Sequence, residues 1–446
     1  MKRQQLFINS KTQAVGLFLL ALAVRVAFVL TLEDHLYWPD EIDFDNVALS
    51  LISGEGYQSD AFRGNPILPF FLAGSYKIFG HSYLAPRILQ SFIGSLTVLV
   101  MFTLAGRLLG RRVALLTGLG LALFPSLVYT SGVFYVDCLF TLLIVLTVYL
   151  FSITPPSDGF RRLALIGLSG IALGVTVLCR PIFFAYLPFA VLLILFRYGE
   201  NWRCRIAYAA ILAVAAFFTI MPWTLRNYAR YDRLLLVSTG TGLFLWRGNN
   251  ELTRGDTDDR YLDPGAGDVW LTRLQSMPLS QRKELSHKYQ SVSHDLQELD
   301  NIDKDRYLQK LAISFIVQNP ARSMALFFQK IQTLYTPFTA VRPEHANIFN
   351  DMQRFVFLLI FYPTLVLGVI GVVHGLSNWR DHLPLYMAVV SISVAYGVTT
   401  AAARFRIPID PFIVLYAAQG AVFAWGLIRT AQRQLEDFLL SPAPKS

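Results

Sequence analysis

Long, almost charge-free runs recur along this chain of 446 residues, and they leave its backbone few ways to fold. In hydrocarbon every N–H and C=O must be satisfied within the protein, which admits helices of about 20 residues or closed barrels. The runs read as spans at 13–32, 88–105, 113–129, 139–153, 163–178, 182–196, 206–223, 355–373, 383–400 and 412–428. They predict an all-α polytopic membrane protein with about 10 transmembrane helices. Only 15% of the residues are charged and the mean hydropathy is +0.45, too apolar for an ordinary soluble surface. Residues 69–79 are too short to cross and read as an interfacial or re-entrant helix.

The basic residues orient the chain. Lys2, Arg3 and Lys11 precede the first run; if they are cytoplasmic, alternation places Arg107, Arg111, Arg112, Arg161, Arg162, Arg197, Arg203, Arg205, Arg380, Arg429 and Arg433 inside as well. The formal net charge of +9 then reflects topology, and no nucleic-acid patch is expected. Both termini are expected in the cytoplasm of a bacterial plasma membrane. The first run is too long, and lacks the small-residue cleavage site, to be a removable signal peptide. Cys138, Cys179 and Cys204 lie in or beside spans at no metal-like spacing and imply neither a disulfide framework nor a zinc site.

After the first span comes WPDEIDFDNVALSLISGEGY, residues 38–57. From Glu33 to Asp60 there are eight carboxylates and no Lys or Arg. Pro39 suits a first helical position, and Asp40, Glu41 and Asp43 suit a first turn, where the macrodipole favours negative charge. Phe44, Val47, Ala48, Leu51 and Ile52 recur at helical spacing, so an amphipathic helix is expected in the plane of the outer membrane surface. Asp43 and Asp45 diverge at i,i+2 and read as a solvated face. Further on, 249–292 reads as loop with short helices, and 303–317 and 320–335 as helices divided at Asn319-Pro320.

Ionisable residues in or beside apolar runs are costly unless paired or hydrated, which makes each a functional candidate. Arg25 lies in the first span, Asp137 opens the fourth, Arg180 follows the fifth, and Arg404 and Arg406 precede the tenth. The topology gathers them with the acidic stretch at the outer face. Such a set suits glycosyl transfer from a lipid phosphate. A carboxylate takes the proton of the attacking hydroxyl, while guanidiniums stabilise the departing phosphate through charge-assisted, often bidentate bonds. Each residue also has a plain structural reading: acids cap helices, Arg25 snorkels or pairs, and the other arginines anchor helices to headgroups. Co-location is what favours function.

The series WPDEIDFDNVALSLISGEGY, RGNPILPFFLAGSYKIFGHS, YVDCLF, GVTVLCRP, LFLWRGNN and ARFRIPIDPF resembles the GT-C class of membrane glycosyltransferases. Within it, the series is similar to the bacterial family 39-like group of protein O-mannosyltransferases and lipid A aminoarabinose transferases. The resemblance implies a GT-C fold and an active site at Asp40 and Glu41, with Asp40 as base and Asp137 as a second acid. It implies Arg63, Arg180, Arg404 and Arg406 as donor-phosphate residues, and leaves Lys330 and the Gly248-Asn249 turn, like Arg25, as structural or accessory elements. It further implies an inverting mechanism, a polyprenyl-phosphate sugar donor and no catalytic metal or other cofactor. The chain is expected to depart from the eukaryotic mannosyltransferases, since nothing in its outer segment looks like their large inserted domain, and from the many relatives with a long soluble carboxy-terminal domain, which leaves the acceptor open.

The expected organisation is an N-terminal transmembrane catalytic module over 1–223, including an extracytoplasmic amphipathic loop at 33–65. An extracytoplasmic segment with interfacial helices follows over 224–350, then C-terminal transmembrane helices and a cytoplasmic tail over 351–446. The expected partners are a polyprenyl-phosphate-linked sugar, an extracytoplasmic acceptor (lipid, glycan or protein) and membrane lipids. The rival is a transporter or flippase of a lipid-linked or anionic solute, since intramembrane charges also mark transport paths. Neither a repeated half nor paired Gly/Pro-broken spans is visible to support it.

Overall fold

The structure, a computed structural model, describes residues 2–59, 64–155, 159–197, 201–253, 278–337 and 351–440. Among these the regular structure is entirely helical. The first half comprises α1 (Lys2–Val29), α2 (Pro39–Ile52), α3 (Ile67–Phe79), α4 (Leu84–Leu108), α5 (Arg111–Leu123), α6 (Pro125–Tyr129), α7 (Asp137–Ile153) and α8 (Gly159–Cys179). A 3-10 turn, Pro181–Ala185, leads into α9 (Tyr186–Arg197) and α10 (Trp202–Tyr231). Then come α11 (Thr241–Gly248), α12 (Leu279–Glu298), α13 (Asn301–Gln318) and α14 (Pro320–Leu334). Last are α15 (Asp351–Gly375), α16 (Trp379–Val398), a 3-10 segment Ala403–Ile409 and α17 (Asp410–Leu440).

Each predicted apolar run falls on a helix, but the runs are unequal. Six described segments are long and apolar enough to cross a bilayer: Lys11–Val29, Leu84–Leu108, Gly159–Cys179, Trp202–Tyr231, Phe355–Val398 and Ala403–Asp437. They hold seven of the ten runs, because Phe355–Val398 takes in two. A seventh span counts only if α13 and α14, bent by 110° at Asn319-Pro320, cross as one. The count of about ten is therefore not reached on length and composition. The run at 113–129 shows why. Pro125 has no N–H to continue a helix and clashes with the preceding turn, so the run divides into α5 and the five-residue α6.

The bundle is built by α1 against α4 and α5, α4 against α7, α7 against α8, and α8 against α10. On the other side α17 packs on α5 and on α15, and α16 joins α9 and α14. Where no hydrophobic force separates helix from lipid, small residues set such contacts. Gly371 of α15 is one: a Cβ there would lie 1.8 Å from the Tyr416 carbonyl oxygen of α17.

Outside the bundle, α11, α12 and α13 enclose a small apolar cluster of Leu245, Trp246, Leu252, Tyr289, Val292, Leu296, Leu308 and Ala312. The expectation of short helices in loop is corrected for its later part. Tyr289, Val292 and Leu296 recur on one helical face, and burying them stabilises a continuous 20-residue α12 despite its polar composition. Residues 254–277 lie outside the described set.

Candidate active site

Helix α2 is fastened from three directions. At its start the Glu41 carboxylate is fully buried. Oε2 accepts from the backbone N–H of Tyr37 (2.7 Å) and of Trp38 (3.3 Å), and Oε1 from that of Phe134 (2.9 Å). Burial pushes this carboxyl above the usual carboxylate range, and the three N–H bonds and Arg87 pull it back. Arg87, buried at the start of α4, donates to the carbonyls of Glu33 (2.9 Å) and His35 (2.6 Å), holding the strand of chain before α2. On the far side Asp45 is buried; it accepts from Tyr76 Oη at 2.6 Å and lies 3.3 Å from His81 Nε2. The solvated-face reading of Asp45 is thus corrected: α3 folds back over that face and supplies the partners.

The Glu41–Phe134 bond ties α2 to the loop between α6 and α7, and the next residues of that loop belong to the site. Asp137 opens α7 with only 3% of its side chain exposed. Its Oδ1 takes Arg180 Nη1 at 2.8 Å, and its Oδ2 lies 3.8 Å from Arg404 Nε. Arg180 caps the 3-10 turn after α8, with its guanidinium 4.8 Å from the Phe405 ring centre and 5.8 Å from that of Phe140. Arg404 lies over Tyr135 at 4.0 Å. Asp40 is half-buried and within electrostatic reach of both Arg404 and Tyr135. Side-chain exposure rises outward, from Asp137 to Arg180 at 16% and Arg404 at 32%. Two guanidiniums share the Asp137 carboxylate, so one of their positive charges is left unmatched by it, with Asp40 as a second carboxylate in electrostatic reach. Such an arrangement attracts a phosphate and keeps a proton acceptor at hand.

The other candidates are held elsewhere. Arg25 is buried between α1 and α5 and donates to the carbonyls of Ala21, Leu121 and Ala122 at 3.2–3.3 Å. Leu121 O is the acceptor that Pro125 cannot serve, so Arg25 caps the break in its own neighbour. Arg406, expected to bind phosphate, is 2% exposed and bonded through Nε to Asp410 Oδ1 at 2.8 Å. Its Nη1 donates to the carbonyls of Leu334 (3.1 Å) and Thr336 (2.6 Å), and Ser126 Oγ donates to Asp410 Oδ2 at 2.8 Å. Alternate residues on a three-residue turn point apart, so Arg404 and Arg406 serve different neighbourhoods. Lys330 is buried among backbone oxygens and an amide. Arg63 lies outside the described residues.

Tyr135 and Arg87 belong to this neighbourhood and were not singled out in the sequence. Arg87 carries the same signal as Arg180, a charge at the edge of an apolar run; nothing in sequence marks an aromatic such as Tyr135 as lying beneath a guanidinium. Trp38 extends the aromatic floor, donating from Nε1 to Tyr129 Oη at 2.8 Å with its ring 6.4 Å from Tyr135.

Comparison with known proteins adds sequence and fold evidence. Residues 63–224 match the family described as dolichyl-phosphate-mannose-protein mannosyltransferase. The chain is 29% identical over 223 residues to an undecaprenyl phosphate-alpha-4-amino-4-deoxy-L-arabinose arabinosyl transferase of Pseudomonas aeruginosa, covering 48% of this chain and 40% of that protein. The chain therefore spans less than half of the relative it matches. Among solved structures, the oligosaccharyltransferase AglB of Archaeoglobus fulgidus, in complex with an inhibitory peptide and a dolichol-phosphate, superposes with a TM-score of 0.57 at 13% identity. That match covers 98% of this chain and 53% of AglB, and the apo form of the archaeal enzyme gives 0.55. Over residues 63–224 the chain is thus similar in sequence to the mannosyltransferase family, and over nearly its whole length its fold is similar to that of AglB.

Proposed function

We propose that this chain is an integral membrane glycosyltransferase that moves a sugar from a polyprenyl-phosphate donor to an acceptor on the extracytoplasmic side, with inversion. The observation that carries the reading is the Asp137–Arg180–Arg404 cluster with Asp40 in electrostatic reach. The relative's name supports the donor class, since it specifies undecaprenyl phosphate. The sugar is a hexose or a pentose, and the acceptor a lipid, glycan or protein. The positive-inside pattern supports an active site facing outward in a bacterial inner membrane.

In this mechanism Asp40 takes the proton of the acceptor hydroxyl as its oxygen attacks the anomeric carbon. The bond from that carbon to the phosphate oxygen breaks, and the electron pair leaves with the phosphate. Arg404 and Arg180 stabilise the growing negative charge through charge-assisted hydrogen bonds in a site of low dielectric. Asp137 aims the two guanidiniums and does not itself move a proton. Glu41 holds Asp40's helix in place through its three backbone bonds.

The test uses purified protein in lipid bilayers with labelled polyprenyl-phosphate sugars and an envelope extract. Release of free polyprenyl phosphate together with label in a new product is expected. Binding or movement of the lipid across the bilayer without turnover would replace the transferase by a transporter.

A further inference from the structure

Lys330, in the last turns of α14, is 2% exposed. Its ammonium shares three N–H groups among four neutral oxygens: the carbonyls of Gly248 (3.0 Å), Val398 (3.1 Å) and Thr399 (3.0 Å), and Asn249 Oδ1 (3.2 Å). These oxygens come from the C-terminal ends of α11 and α16, where unpaired carbonyls carry partial negative charge. One buried cation therefore caps two helices and joins both to α14. Asn249 reinforces the join, donating from Nδ2 to Val398 O at 2.8 Å. The contact is closed further by Gly248, where a Cβ would lie 1.6 Å from the Thr399 carbonyl oxygen, so only glycine lets α11 approach this closely.

The joined point is where α16 ends and the chain turns toward the 3-10 segment that carries Arg404. Thr399 is five residues before Arg404, and two residues after it Arg406 is fixed to Asp410 and to the Leu334 and Thr336 carbonyls at the end of α14. Arg404 thus stands on a short stretch anchored at both ends to the same helix, α14. We propose that Lys330 is a positioning residue that holds this stretch so that Arg404 meets the donor phosphate, and that it couples the outer cluster of α11–α13 to that guanidinium. The inference rests on the donor reading above.

The experiment is a double-mutant cycle on the full-length protein in nanodiscs, with undecaprenyl phosphate alone as the probe. Arg404→Ala is expected to weaken binding about tenfold or more, the size of a lost charge-assisted bond. Lys330→Met is expected to weaken it by a comparable factor, and the double variant by no more than either single, because both changes act through one guanidinium. A loss in the double variant equal to the product of the singles would reduce Lys330 to a general stabilising role and overturn the inference. So would a Lys330→Met variant that binds as wild type while Arg404→Ala is weakened, with the donor reading left intact. If Arg404→Ala binds as wild type, the donor reading fails and the inference falls with it. Should Lys330→Met not fold, Asn249→Ala removes one of the four oxygens and the bond to Val398, and carries the same cycle with the same outcomes. Restoration of affinity to Lys330→Ala by propylammonium, but not by propanol, is expected; no difference between the two would count against the charge as the element that positions.

Discussion

Two adjacent carboxylates divide the work at the head of α2. Asp40 is half-buried and within electrostatic reach of Arg404, whereas Glu41 is buried and committed to three backbone N–H groups. Glu41→Gln replaces one acceptor oxygen by an NH2 that faces N–H donors. The expected loss is about 2 kcal/mol of stability, the scale of an unsatisfied buried group, seen as a lower thermal midpoint. Undecaprenyl phosphate affinity of the folded protein should be retained; an unchanged midpoint would contradict the pinning role. The sequence shows the Asp-Glu pair but not its division, since both acids suit a first helical turn. What separates them is the Phe134 N–H, 93 residues along the chain, which reaches Glu41 only through the tertiary fold.

At the scale of elements, the breaks explain more than the spans. Pro125 divides α5 from α6, and Arg25 satisfies the carbonyls that the break exposes. Arg25→Met leaves Leu121 and Ala122 without that donor in a buried site. The expected outcome is a destabilisation of about 1–3 kcal/mol with lipid-phosphate affinity of the folded protein unchanged. A selective loss of affinity at constant thermal midpoint would return Arg25 to the binding machinery. Much of this level is legible in sequence: the apolar runs, the start of α2 at Pro39 and the bend at Asn319-Pro320 all follow from local chemistry. Its errors have one source. Asp45 reads as solvated and Arg406 as open to phosphate because Tyr76, and the Leu334 and Thr336 carbonyls, reach them from distant parts of the chain, although Asp410 lies only four residues from Arg406.

For the whole molecule, orientation decides which side the site serves, and one native cysteine reads it. Cys138 and Cys179 are buried, whereas Cys204 is exposed at the start of α10. The charge pattern puts that end in the cytoplasm. A membrane-impermeant maleimide should therefore label Cys204 in inverted vesicles and leave it unlabelled in sealed right-side-out vesicles. The reverse pattern would turn the site toward the cytoplasm and remove the reason for a lipid-linked donor. The fold is similar to that of AglB at 13% identity over 98% of this chain.

The central claim is that Asp40 is the base of a transfer reaction, and one comparison tests it most directly. Wild type and Asp40→Asn, in the same bilayers, are given the labelled polyprenyl-phosphate sugar that wild type consumes, and initial rates of polyprenyl phosphate release are measured. Removing a positioned general base predicts a fall of about a thousandfold in turnover, with undecaprenyl phosphate affinity within about twofold of wild type. Turnover close to wild type in Asp40→Asn would contradict the account and place the proton acceptor elsewhere.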